Sequence, residues 1–369
     1  MISVLVADDS ALVRRLVTGV LSEAPGIQVV GTAVNGEQAL AKVDELRPDI
    51  VTLDIEMPVM DGLTAMRELR RRHPRLPVIM FSTLTKDGAA ATLDALEAGA
   101  SDYITKPTNS LSLTESLSEV RDQLIPRVRA LTARRLPSRP ATAPAPAAGP
   151  AAAPATAGAR PPRTRSNLVP QIVAIGSSTG GPDALAKVLG SLTARPSVPV
   201  VVVQHMPPVF TNMLANRLDR LGPASVVEAE DGQLLAPGVV YIAPGGRHLE
   251  VQRRGAGTYT LLHDRDPENY SRPSVDVLFR SVAVAYPGSA VAVVLTGMGH
   301  DGRQGCERLG ASGSLVVAQD QPTSVVWGMP GAVTEAGLAD AVLPLPAIGQ
   351  FISSKLTEPR GTRVTEVAS

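Results

Sequence analysis

The sequence predicts two α/β domains, each built around a mainly parallel β-sheet and joined by a linker. Short apolar runs alternate with amphipathic stretches at helical spacing in both halves of the chain, which is typical of parallel sheets covered by helices. Between the halves, residues 136–162 consist almost entirely of Ala, Pro, Thr, Gly, Ser and Arg. Such a composition cannot bury enough apolar surface to offset the entropy of ordering. A length of 369 residues is also comfortable for two domains.

These shifts in composition divide the chain into segments. We expect a first α/β domain over residues 1–125, an Ala- and Pro-rich linker over 126–167, a second α/β domain over 168–357 and a polar tail over 358–369. An ordered crossing loop is the alternative to the linker, but structureless loops longer than about 15 residues are uncommon within compact domains. We therefore expect a semi-flexible, partly extended connection between the two domains.

The first domain shows repeated strand–helix units. Its apolar runs predict strands at Ser3–Ala7, Gln28–Ala33, Ile50–Asp54, Val78–Ser82 and Asp102–Thr105. Repeats of this kind favour a flavodoxin-like five-stranded sheet with the strand order 2-1-3-4-5. In that fold, ligands bind at the carboxyl ends of the first and third strands.

The second domain mixes two kinds of strand pattern. Continuous apolar runs at Gln171–Ile175, Val200–Val203 and Val291–Leu295 are typical of parallel strands that are buried on both faces. In contrast, Ser225–His263 places glycine- and proline-rich turns between short β-prone runs, which suggests antiparallel hairpins. We therefore predict a Rossmann-like, mainly parallel α/β domain with an antiparallel insertion at one edge of its sheet.

Acidic residues follow two strands of the first domain. Asp8 and Asp9 come after the first strand and Asp54 ends the third, so the parallel strands should bring the three carboxylates together. A hard divalent cation such as Mg²⁺ would relieve their repulsion through oxygen ligands. Lys106 ends the fifth strand, and its ammonium can balance the acids or pair with a phosphoryl group. Ser82, at the end of the fourth strand, adds a hydroxyl to the same rim.

The order and spacing of these residues resemble the response-regulator receiver family. The matching pieces are Asp8–Ser10, Asp54, Met57–Gly62, Ser82 and Lys106–Pro107. The match extends over the whole predicted first domain. It implies a domain that is controlled by phosphorylation.

The receiver resemblance also implies roles for individual residues. Asp54 would be the phosphoacceptor, and Asp8, Asp9 and Asp54 would hold Mg²⁺ with the backbone carbonyl of Glu56 as a further contact. A carboxylate that attacks a phosphoryl donor forms an acyl phosphate, and Mg²⁺ neutralises the oxygens in transit. A sensor histidine kinase is the implied phosphodonor. The switch residues implied by the resemblance are Ser82, Tyr103 and Lys106.

A glycine-flanked serine lies between the first strand and the first helix of the second domain. Residues Gly176–Gly180 contain G-x-S-x-G with Ser178 at its centre, and the glycines permit a sharp turn that projects the hydroxyl. Ser177 is an alternative nucleophile, but it does not occupy the centre of the motif. Glycine-rich strand–helix turns also bind phosphates, so a non-enzymatic phosphate- or nucleotide-binding domain is a competing interpretation.

A serine nucleophile needs a base and a group that orients the base. His205 and Asp301 both follow apolar strands at the same predicted sheet edge as Ser178, which is the arrangement that a Ser-His-Asp triad requires. The chain order Ser, His, Asp differs from Ser, Asp, His in α/β-hydrolases, which indicates a convergent triad on a different fold. His300 is a weaker candidate base because adjacent side chains rarely point at one another. His248 is expected to line the site or a turn.

Separate segments of the second domain carry a family pattern, in this order: Gly176–Gly181, Gln204–Pro207, Tyr241–His248, Arg272–Phe279 and Leu295–Gly302. They are similar to those of the CheB family of chemotaxis protein-glutamate methylesterases. This resemblance implies that Ser178 is the nucleophile, His205 the general base and Asp301 its orienting carboxylate, with no cofactor for the esterase. The backbone amide of Met298 is an implied oxyanion donor. Many members have Ala at position 177 and Asn at position 300; neither is a triad position, so we expect activity to survive.

The family resemblance further implies a reaction and partners. The CheB family hydrolyses glutamate γ-methyl esters on chemotaxis receptors to methanol and glutamate, and it deamidates glutamines at the same site. A receiver-controlled hydrolase that acts on a protein glutamyl ester or amide outside chemotaxis is the main alternative. We also expect the unphosphorylated receiver domain to cover the cleft, and phosphorylation of Asp54 to weaken that cover.

Composition and charge argue against several other classes of protein. Lys plus Arg and Asp plus Glu each number 35, so the zero net charge gives no general attraction to nucleic acid, and the sequence offers no basic recognition helix for a transcription regulator. No stretch approaches the roughly 20 apolar residues that span a bilayer, which argues against membrane insertion. The single cysteine, Cys306, excludes an intrachain disulfide and is expected to pack in a helix. The sequence shows no signal-peptide pattern, so we expect a cytoplasmic protein.

Overall fold

The structure is a computed structural model that describes residues 1–106, 113–133 and 169–357. The predicted tail, residues 358–369, and most of the predicted linker, residues 134–167, lie outside the described residues. The described parts form two α/β domains. Each domain has its own main sheet with apolar clusters on both faces, which confirms the predicted fold class.

The first domain has the flavodoxin-like sheet that the sequence predicts. The strands of its described part are β1 (Ile2–Ala7), β2 (Ile27–Ala33), β3 (Ile50–Asp54), β4 (Val78–Ser82) and β5 (Asp102–Thr105). They are all parallel and follow the order β2-β1-β3-β4-β5. The helices are α1 (Ala11–Ser22), α2 (Gly36–Leu46), α3 (Gly62–Arg72), α4 (Lys86–Glu97) and α5 (Leu113–Thr132).

Polar caps fix where the first helices begin. Ser10, Asn35, Asp61 and Thr85 precede α1, α2, α3 and α4, and each side chain accepts a hydrogen bond from the backbone amide three residues later. These caps lie in the loops that follow the carboxyl ends of the strands. They therefore also shape the edge of the sheet at which the acidic residues lie.

The last helix of the first domain runs past residue 125, where the domain was predicted to end. Pro126 lies inside α5 and removes one backbone hydrogen bond, yet the helix continues. The reason is packing, because Val128 and Leu131 recur at helical spacing and are buried against the sheet. Residues 126–132 are therefore part of the first domain and not of the linker, while the other boundaries stay predictions.

Within residues 169–357, the second domain contains a parallel main sheet and a separate hairpin. The strands of the main sheet are β6 (Ile172–Ser177), β7 (Val200–Gln204), β8 (Ser225–Glu228), β9 (Val239–Ile242), β12 (Ala290–Val294), β13 (Leu315–Gln319) and β14 (Ala341–Leu343), and those of the hairpin are β10 (His248–Arg254) and β11 (Gly257–His263). The helices are α6 (Gly181–Gly190), α7 (Phe210–Leu218), α8 (Val275–Ala285), α9 (Arg303–Ala311), α10 (Met329–Glu335) and α11 (Leu345–Thr357). The strand order of the main sheet is β14-β13-β12-β6-β7-β9-β8.

The middle of the second domain only partly matches the antiparallel insertion that the sequence predicts. β10 and β11 do form an antiparallel hairpin, which turns at Gly255 with a φ of 59° and packs on α8 as a separate sheet. β8 and β9, however, pair in parallel and extend the main sheet. Val240 and Ile242 of β9 are fully buried because this strand lies between β7 and β8. A short apolar run does not reveal whether its partner strand runs parallel or antiparallel, so the prediction of antiparallel pairing was wrong for β8 and β9.

The two domains pack directly against each other. α4 of the first domain contacts α6 and α7 of the second. The ring of Tyr103 in β5 stacks on the ring of Phe210, with centroids 5.1 Å apart and planes 8° from parallel. Arg217 in α7 forms ion pairs with Asp94 and Glu97 of α4. Because Phe210 is the first residue of α7, the first domain sits near the carboxyl end of β7, the edge at which the candidate active site lies.

Candidate active site and acid pocket

Ser178 lies in the sharp turn between β6 and α6. Gly180 adopts a φ of 76°, and a Cβ at Gly181 would lie 1.9 Å from the side-chain oxygen of Gln204, so both positions require glycine. Ser178 is partly exposed and lines a cleft. In contrast, Ser177 is buried and its hydroxyl donates to Oε1 of Gln204 at 2.7 Å. The geometry therefore favours Ser178 over Ser177 as the nucleophile.

His205 follows β7 and pairs closely with Asp301, which follows β12. Nε2 of His205 lies 2.8 Å from Oδ2 of Asp301. Since a carboxylate oxygen accepts, Nε2 carries the proton, and Nδ1 is the ring nitrogen that can take another. Nδ1 lies 3.3 Å from the hydroxyl of Ser271, and His205 and Ser178 line one cleft of about 1140 Å³. Among the described residues no hydrogen bond joins Ser178 to His205, and such looser geometry is common before substrate binds.

Hydrogen-bond donors surround the carboxylate of Asp301. Burial alone would raise the pKa of Asp301, but the hydrogen bond and charge of His205 and the backbone amides at the start of α8 outweigh burial, so the pKa is lowered. Asp301 therefore stays ionised and holds the His205 ring in one orientation. Its Oδ2 accepts from His205 Nε2 (2.8 Å) and Val275 N (2.7 Å), and its Oδ1 accepts from Asn269 Nδ2 (2.9 Å), Ser274 Oγ (2.9 Å), Asp276 N (3.0 Å) and Gly302 N (3.0 Å).

The acid pocket of the first domain has a different character. Carboxylate oxygens of Asp8, Asp9 and Asp54 lie within 4.8 Å of one another at the carboxyl ends of β1 and β3. Nζ of Lys106 lies 2.7 Å from Oδ2 of Asp54 and 3.2 Å from Oδ2 of Asp8. Both oxygens are buried and lack a well-directed hydrogen bond among the described residues, so Lys106 balances them mainly as a point charge. Oxygens in this state are suited to a divalent cation.

The charges of this pocket are only partly compensated. Burial raises the pKa of Asp54 to about 6, with the charge of Asp8 adding to the effect and the close contact with the Lys106 ammonium opposing it. Burial likewise raises the pKa of Asp8. Burial would lower the pKa of Lys106, but its close contact with Asp54 and the charges of both acids raise it. The backbone amide of Glu56 also donates to Asp54, while a role for the Glu56 carbonyl stays a prediction.

Two family models match the chain. Residues 4–118 match the response regulator receiver domain, and residues 173–352 match the CheB methylesterase domain. A protein-glutamate methylesterase/protein-glutamine glutaminase from Nocardioides sp. is 53% identical over 98% of this chain and 98% of its own length. The chain belongs to the CheB methylesterase family. The family resemblance predicted from the sequence is thereby confirmed.

A further relative is similar to the chain over both domains, and a solved structure is similar to the second domain. A protein-glutamate methylesterase/protein-glutamine glutaminase from Trichodesmium erythraeum is 45% identical over 96% of this chain and 98% of its own length. The crystal structure of the Thermotoga maritima CheB methylesterase catalytic domain is 44% identical, covers 51% of this chain and 99% of that chain, and has a TM-score of 0.49. Separately, none of the helices in the described residues combines the length and apolar character needed to cross a membrane.

The methylesterase domain holds Asp301 with residues that sequence reasoning did not assign. Asn269 donates from Nδ2 to Oδ1 of Asp301 and to Oδ2 of Asp276, each at 2.9 Å. Asp276 is fully buried, and Ser274 immediately precedes α8. Both lie in the Arg272–Phe279 segment, where a serine before an apolar helix with an acid in its first turn is a helix-start signal that could have identified them. Asn269 offers no such signal.

Met298, the candidate oxyanion donor, follows a residue that contacts Ser178. The preceding Gly297 packs so closely that a Cβ there would lie 2.9 Å from the Cβ of Ser178. Met298 lines the same cleft, and among the described residues its backbone amide has no acceptor. The amide is therefore available to a substrate oxygen, although its role stays a prediction.

Two other candidates from the sequence lie outside the triad. His300 is exposed, and Asp301 pairs with His205 instead. Burial raises the pKa of the Cys306 thiol, which fits a packing role.

The predicted switch residues of the receiver domain lie in three different environments. Ser82 is buried at the end of β4, where its hydroxyl donates to the carbonyl of Gly88 at 3.0 Å and accepts from Thr92 at 2.6 Å. Tyr103 is buried under the methylesterase domain, and burial raises its pKa. Lys106 is the switch residue that contacts Asp54.

A hydrogen bond ties the receiver domain to the nucleophile turn. Oδ2 of Asp102, at the start of β5, accepts from Oγ1 of Thr179 at 2.7 Å and from Nε of Arg127 at 3.0 Å. Thr179 follows Ser178 in the chain, and Tyr103 follows Asp102. The contact therefore joins the neighbour of the candidate nucleophile to the neighbour of a predicted switch residue.

Proposed function

We propose that this protein is a phosphorylation-regulated serine esterase that hydrolyses glutamate γ-methyl esters on chemotaxis receptors. It would also deamidate glutamines there, because an amide and an ester pass through similar tetrahedral intermediates. The observation that carries the proposal is the pair formed by His205 and Asp301 at 2.8 Å, in the cleft that the partly exposed Ser178 also lines. The family match and the names of the relatives support this class of substrate.

The proposed reaction begins with Ser178 as the nucleophile. His205 takes the hydroxyl proton through Nδ1 as the Ser178 oxygen attacks the ester carbonyl. Negative charge then develops on the carbonyl oxygen, and the candidate donor to it is the backbone amide of Met298. Removing one such donor typically costs about 10²–10³-fold in rate.

The intermediate then collapses and is hydrolysed. His205 returns the proton to the departing methoxide, so methanol leaves and an acyl-enzyme on Ser178 remains. A water molecule that loses a proton to His205 attacks the acyl carbonyl, and the free glutamate leaves as Ser178 regains its proton. Asp301 stays ionised throughout, because its donors hold its pKa low, and it stabilises the imidazolium formed at each transfer.

We further propose that Asp54 of the receiver domain accepts a phosphoryl group from a sensor histidine kinase. A carboxylate oxygen attacks phosphorus and forms an acyl phosphate, while the donor histidine departs. The buried, poorly compensated oxygens of Asp8 and Asp54 fit a divalent cation, and Mg²⁺ would be held by Asp8, Asp9 and Asp54 with the Glu56 carbonyl. Bound there, Mg²⁺ supplies positive charge near the phosphoryl oxygens. Lys106 would pair with the same oxygens.

Phosphorylation is proposed to regulate the esterase through the contact between the domains. Both domains line the cleft, and Thr179 and Phe210 of the methylesterase domain contact Asp102 and Tyr103 of β5. Lys106, which follows β5, contacts Asp54. A change of charge at Asp54 would therefore act on the strand that carries the contact. We place this activity in the cytoplasm, where the kinase and the receptor signalling regions would meet it.

Methanol release from methylated receptor membranes tests the esterase. Wild type and Ser178→Ala would be compared with and without a small phosphodonor and Mg²⁺. We expect release by wild type, acceleration by the donor and no release by the variant. If wild type stays silent although Asp54 is phosphorylated, the receiver assignment survives and the substrate is a glutamyl ester or amide outside chemotaxis.

The Asp54→Asn variant tests the regulation. We expect its unstimulated rate to equal that of wild type, while the phosphodonor no longer accelerates it. Coupling between sites typically amounts to about 5–150-fold, so the lost acceleration should be readily measured. A variant that remained fully inducible would contradict the role of Asp54.

A further inference from the structure

His248 is a buried histidine of the methylesterase domain that lies outside the proposed triad. It is the first residue of β10 and is 1% exposed. Its Nδ1 lies 3.2 Å from the backbone nitrogen of Ser274, and its Nε2 lies 3.1 Å from the backbone carbonyl oxygen of Asp266. Both ring nitrogens therefore have fixed partners.

These two partners determine the protonation of the ring. The amide of Ser274 can only donate, so Nδ1 of His248 must accept and carries no proton. The carbonyl of Asp266 can only accept, so Nε2 must donate and carries the proton. The ring is therefore neutral, in a single tautomer. Burial also lowers the pKa of His248, which favours the same neutral form.

The partner of Nδ1, the backbone amide of Ser274, lies where α8 begins and where Asp301 accepts several of its hydrogen bonds. Ser274 is fully buried and immediately precedes α8. Its hydroxyl and the next two backbone amides, those of Val275 and Asp276, all donate to Asp301, at 2.9, 2.7 and 3.0 Å. Without an acceptor at His248, the buried amide of Ser274 would lose its partner, at a typical cost of about 1–3 kcal/mol. The start of α8 would then shift to find another partner.

We propose that His248 is a positioning residue for the esterase: its neutral ring fixes the backbone of Ser274, so that the start of α8 presents its donors to Asp301. Asp301 in turn orients His205. The inference rests on the proposed triad role of Asp301. It assigns a function to one nitrogen of the ring, Nδ1, and treats the hydrogen bond from Nε2 to Asp266 as structural only.

Two substitutions separate the two ring nitrogens. The side-chain oxygen of Asn lies as many bonds from Cα as Nδ1 of histidine, so His248→Asn keeps an acceptor for the Ser274 amide. The side-chain nitrogen of Gln matches Nε2, so His248→Gln keeps only the donor to Asp266. Displacement of catalytic groups by about 1 Å can cost about 10²-fold in rate. We expect His248→Gln and His248→Ala to lower kcat by about 10–100-fold with little change in KM, and His248→Asn to stay within about 3-fold of wild type.

The measurement uses the full-length variants with methylated receptor membranes and a phosphodonor. His263→Gln is the matched control, since this neighbouring ring lies 5.2 Å from that of His248 and bonds Glu250 through Nε2. It should leave kcat unchanged. Equal kcat values for His248→Asn and His248→Gln, with Asp301→Asn strongly impaired, would overturn the inference. Full activity of Asp301→Asn would instead overturn the proposed triad.

A measurement on the wild type protects the test against variants that fail to fold. Long-range ¹⁵N–¹H correlation spectra of the histidine side chains report the tautomer of each ring, and single replacement of the other four histidines assigns the His248 signals. We expect Nδ1 without a proton and Nε2 with one. A protonated Nδ1 at neutral pH would contradict the proposal, because that nitrogen could not then accept from Ser274.

Discussion

The fold shifts the pKa values of two buried aspartates in opposite directions: Asp301 in the methylesterase domain and Asp54 in the receiver domain. Each is 2% exposed and lies at the carboxyl end of a parallel strand. Asp301 accepts hydrogen bonds on both oxygens from His205, from the start of α8 and from neighbouring loops. Asp54 has the ion pair with Lys106 and one backbone donor, and the pKa of its carboxyl moves upward where that of Asp301 moves downward.

The difference teaches how burial can serve two tasks. A carboxylate that orients a base must stay ionised in one position, and hydrogen bonds to charged groups, each worth about 1.5–3 kcal/mol, secure both properties for Asp301. A carboxylate that accepts a phosphoryl group must keep an oxygen free of directed hydrogen bonds and tolerate a metal ion beside it. Asp54 keeps an oxygen that lacks a directed hydrogen bond, and burying a carboxylate in this state costs folding free energy.

Of the substitutions that test this contrast, Asp301→Asn should have the largest effect on esterase activity. An amide cannot accept on both of its polar atoms, so it would lose donors at the start of α8 or turn the His205 ring into the wrong tautomer. In Ser-His-Asp enzymes this change lowers kcat by about 10⁴-fold. We expect methanol release to fall by about that factor while KM changes little.

Asp264→Asn provides the control for Asp301→Asn, because Asp264 is an exposed acid that contacts Arg272, a residue of the same cleft. The backbone carbonyl of Asp264 keeps its bond from Arg272 in this variant, so activity should stay at the wild-type level. If Asp301→Asn lowered the rate of methanol release by less than about tenfold, the donors around Asp301 would contribute to folding and not to catalysis.

Asp54→Asn should stabilise the protein at neutral pH in buffer that contains EDTA. Burial raises the pKa of Asp54 from 3.8 to about 6, so the folded chain binds this proton more tightly than the unfolded chain. The free energy of unfolding therefore falls as pH rises through this window. Each pKa unit corresponds to about 1.4 kcal/mol, so the gain on substitution is at most about 3 kcal/mol at pH 7, less whatever the lost ion pair with Lys106 contributed.

Urea denaturation at about pH 7 and about pH 4 measures this effect. The stabilisation by Asp54→Asn should shrink to a small remainder at the lower pH, where wild-type Asp54 is protonated in the folded state and already about half protonated in the unfolded state. Glu45→Gln, at an exposed acid of α2, should change neither value. Destabilisation by Asp54→Asn at neutral pH would show that Lys106 compensates Asp54 fully and would remove the contrast with Asp301.

The sequence revealed the residues that follow buried strands much better than those that support them. Asp54 ends β3, His205 directly follows β7 and Asp301 lies in the loop after β12, and parallel strands bring such positions to one edge. Asn269 and His248 lie in or beside turns whose approach to Asp301 depends on how the β10–β11 hairpin packs on α8. No local pattern encodes that packing.

The same limit explains the differences in the fold. β8 and β9 are short and β-prone, and only the pairing of β9 with β7 and β8 shows that it is an internal, parallel strand. The extension of α5 beyond Pro126 depends on the packing of Val128 and Leu131 against the sheet of the first domain. Tertiary contacts decided both points, so a pattern along the chain could not.

Asp102→Ala should have the smallest effect on activity among these aspartate substitutions. It extends the comparison to a third buried carboxylate, one that accepts hydrogen bonds from both domains. Oδ2 of Asp102 accepts from Thr179 of the methylesterase domain and from Arg127 of the receiver domain. Loss of the bond with Thr179 should weaken the closed arrangement by about 1–2 kcal/mol, which is about a tenfold shift between closed and open forms. We expect methanol release without phosphodonor to rise by up to about tenfold.

Two comparisons decide whether that rise comes from release of the receiver domain. With phosphodonor, Asp102→Ala should reach the same rate as wild type, because phosphorylation has already weakened the contact. Arg217→Ala removes the more exposed ion pairs between α7 and α4, and since such pairs contribute about 0–1 kcal/mol it should raise the unstimulated rate by about fivefold or less. An unstimulated rate of Asp102→Ala equal to that of wild type would mean that the bond with Thr179 does not hold the cleft closed. In that case the stacked rings of Tyr103 and Phe210, which remain in both variants, would be the contact that phosphorylation must break.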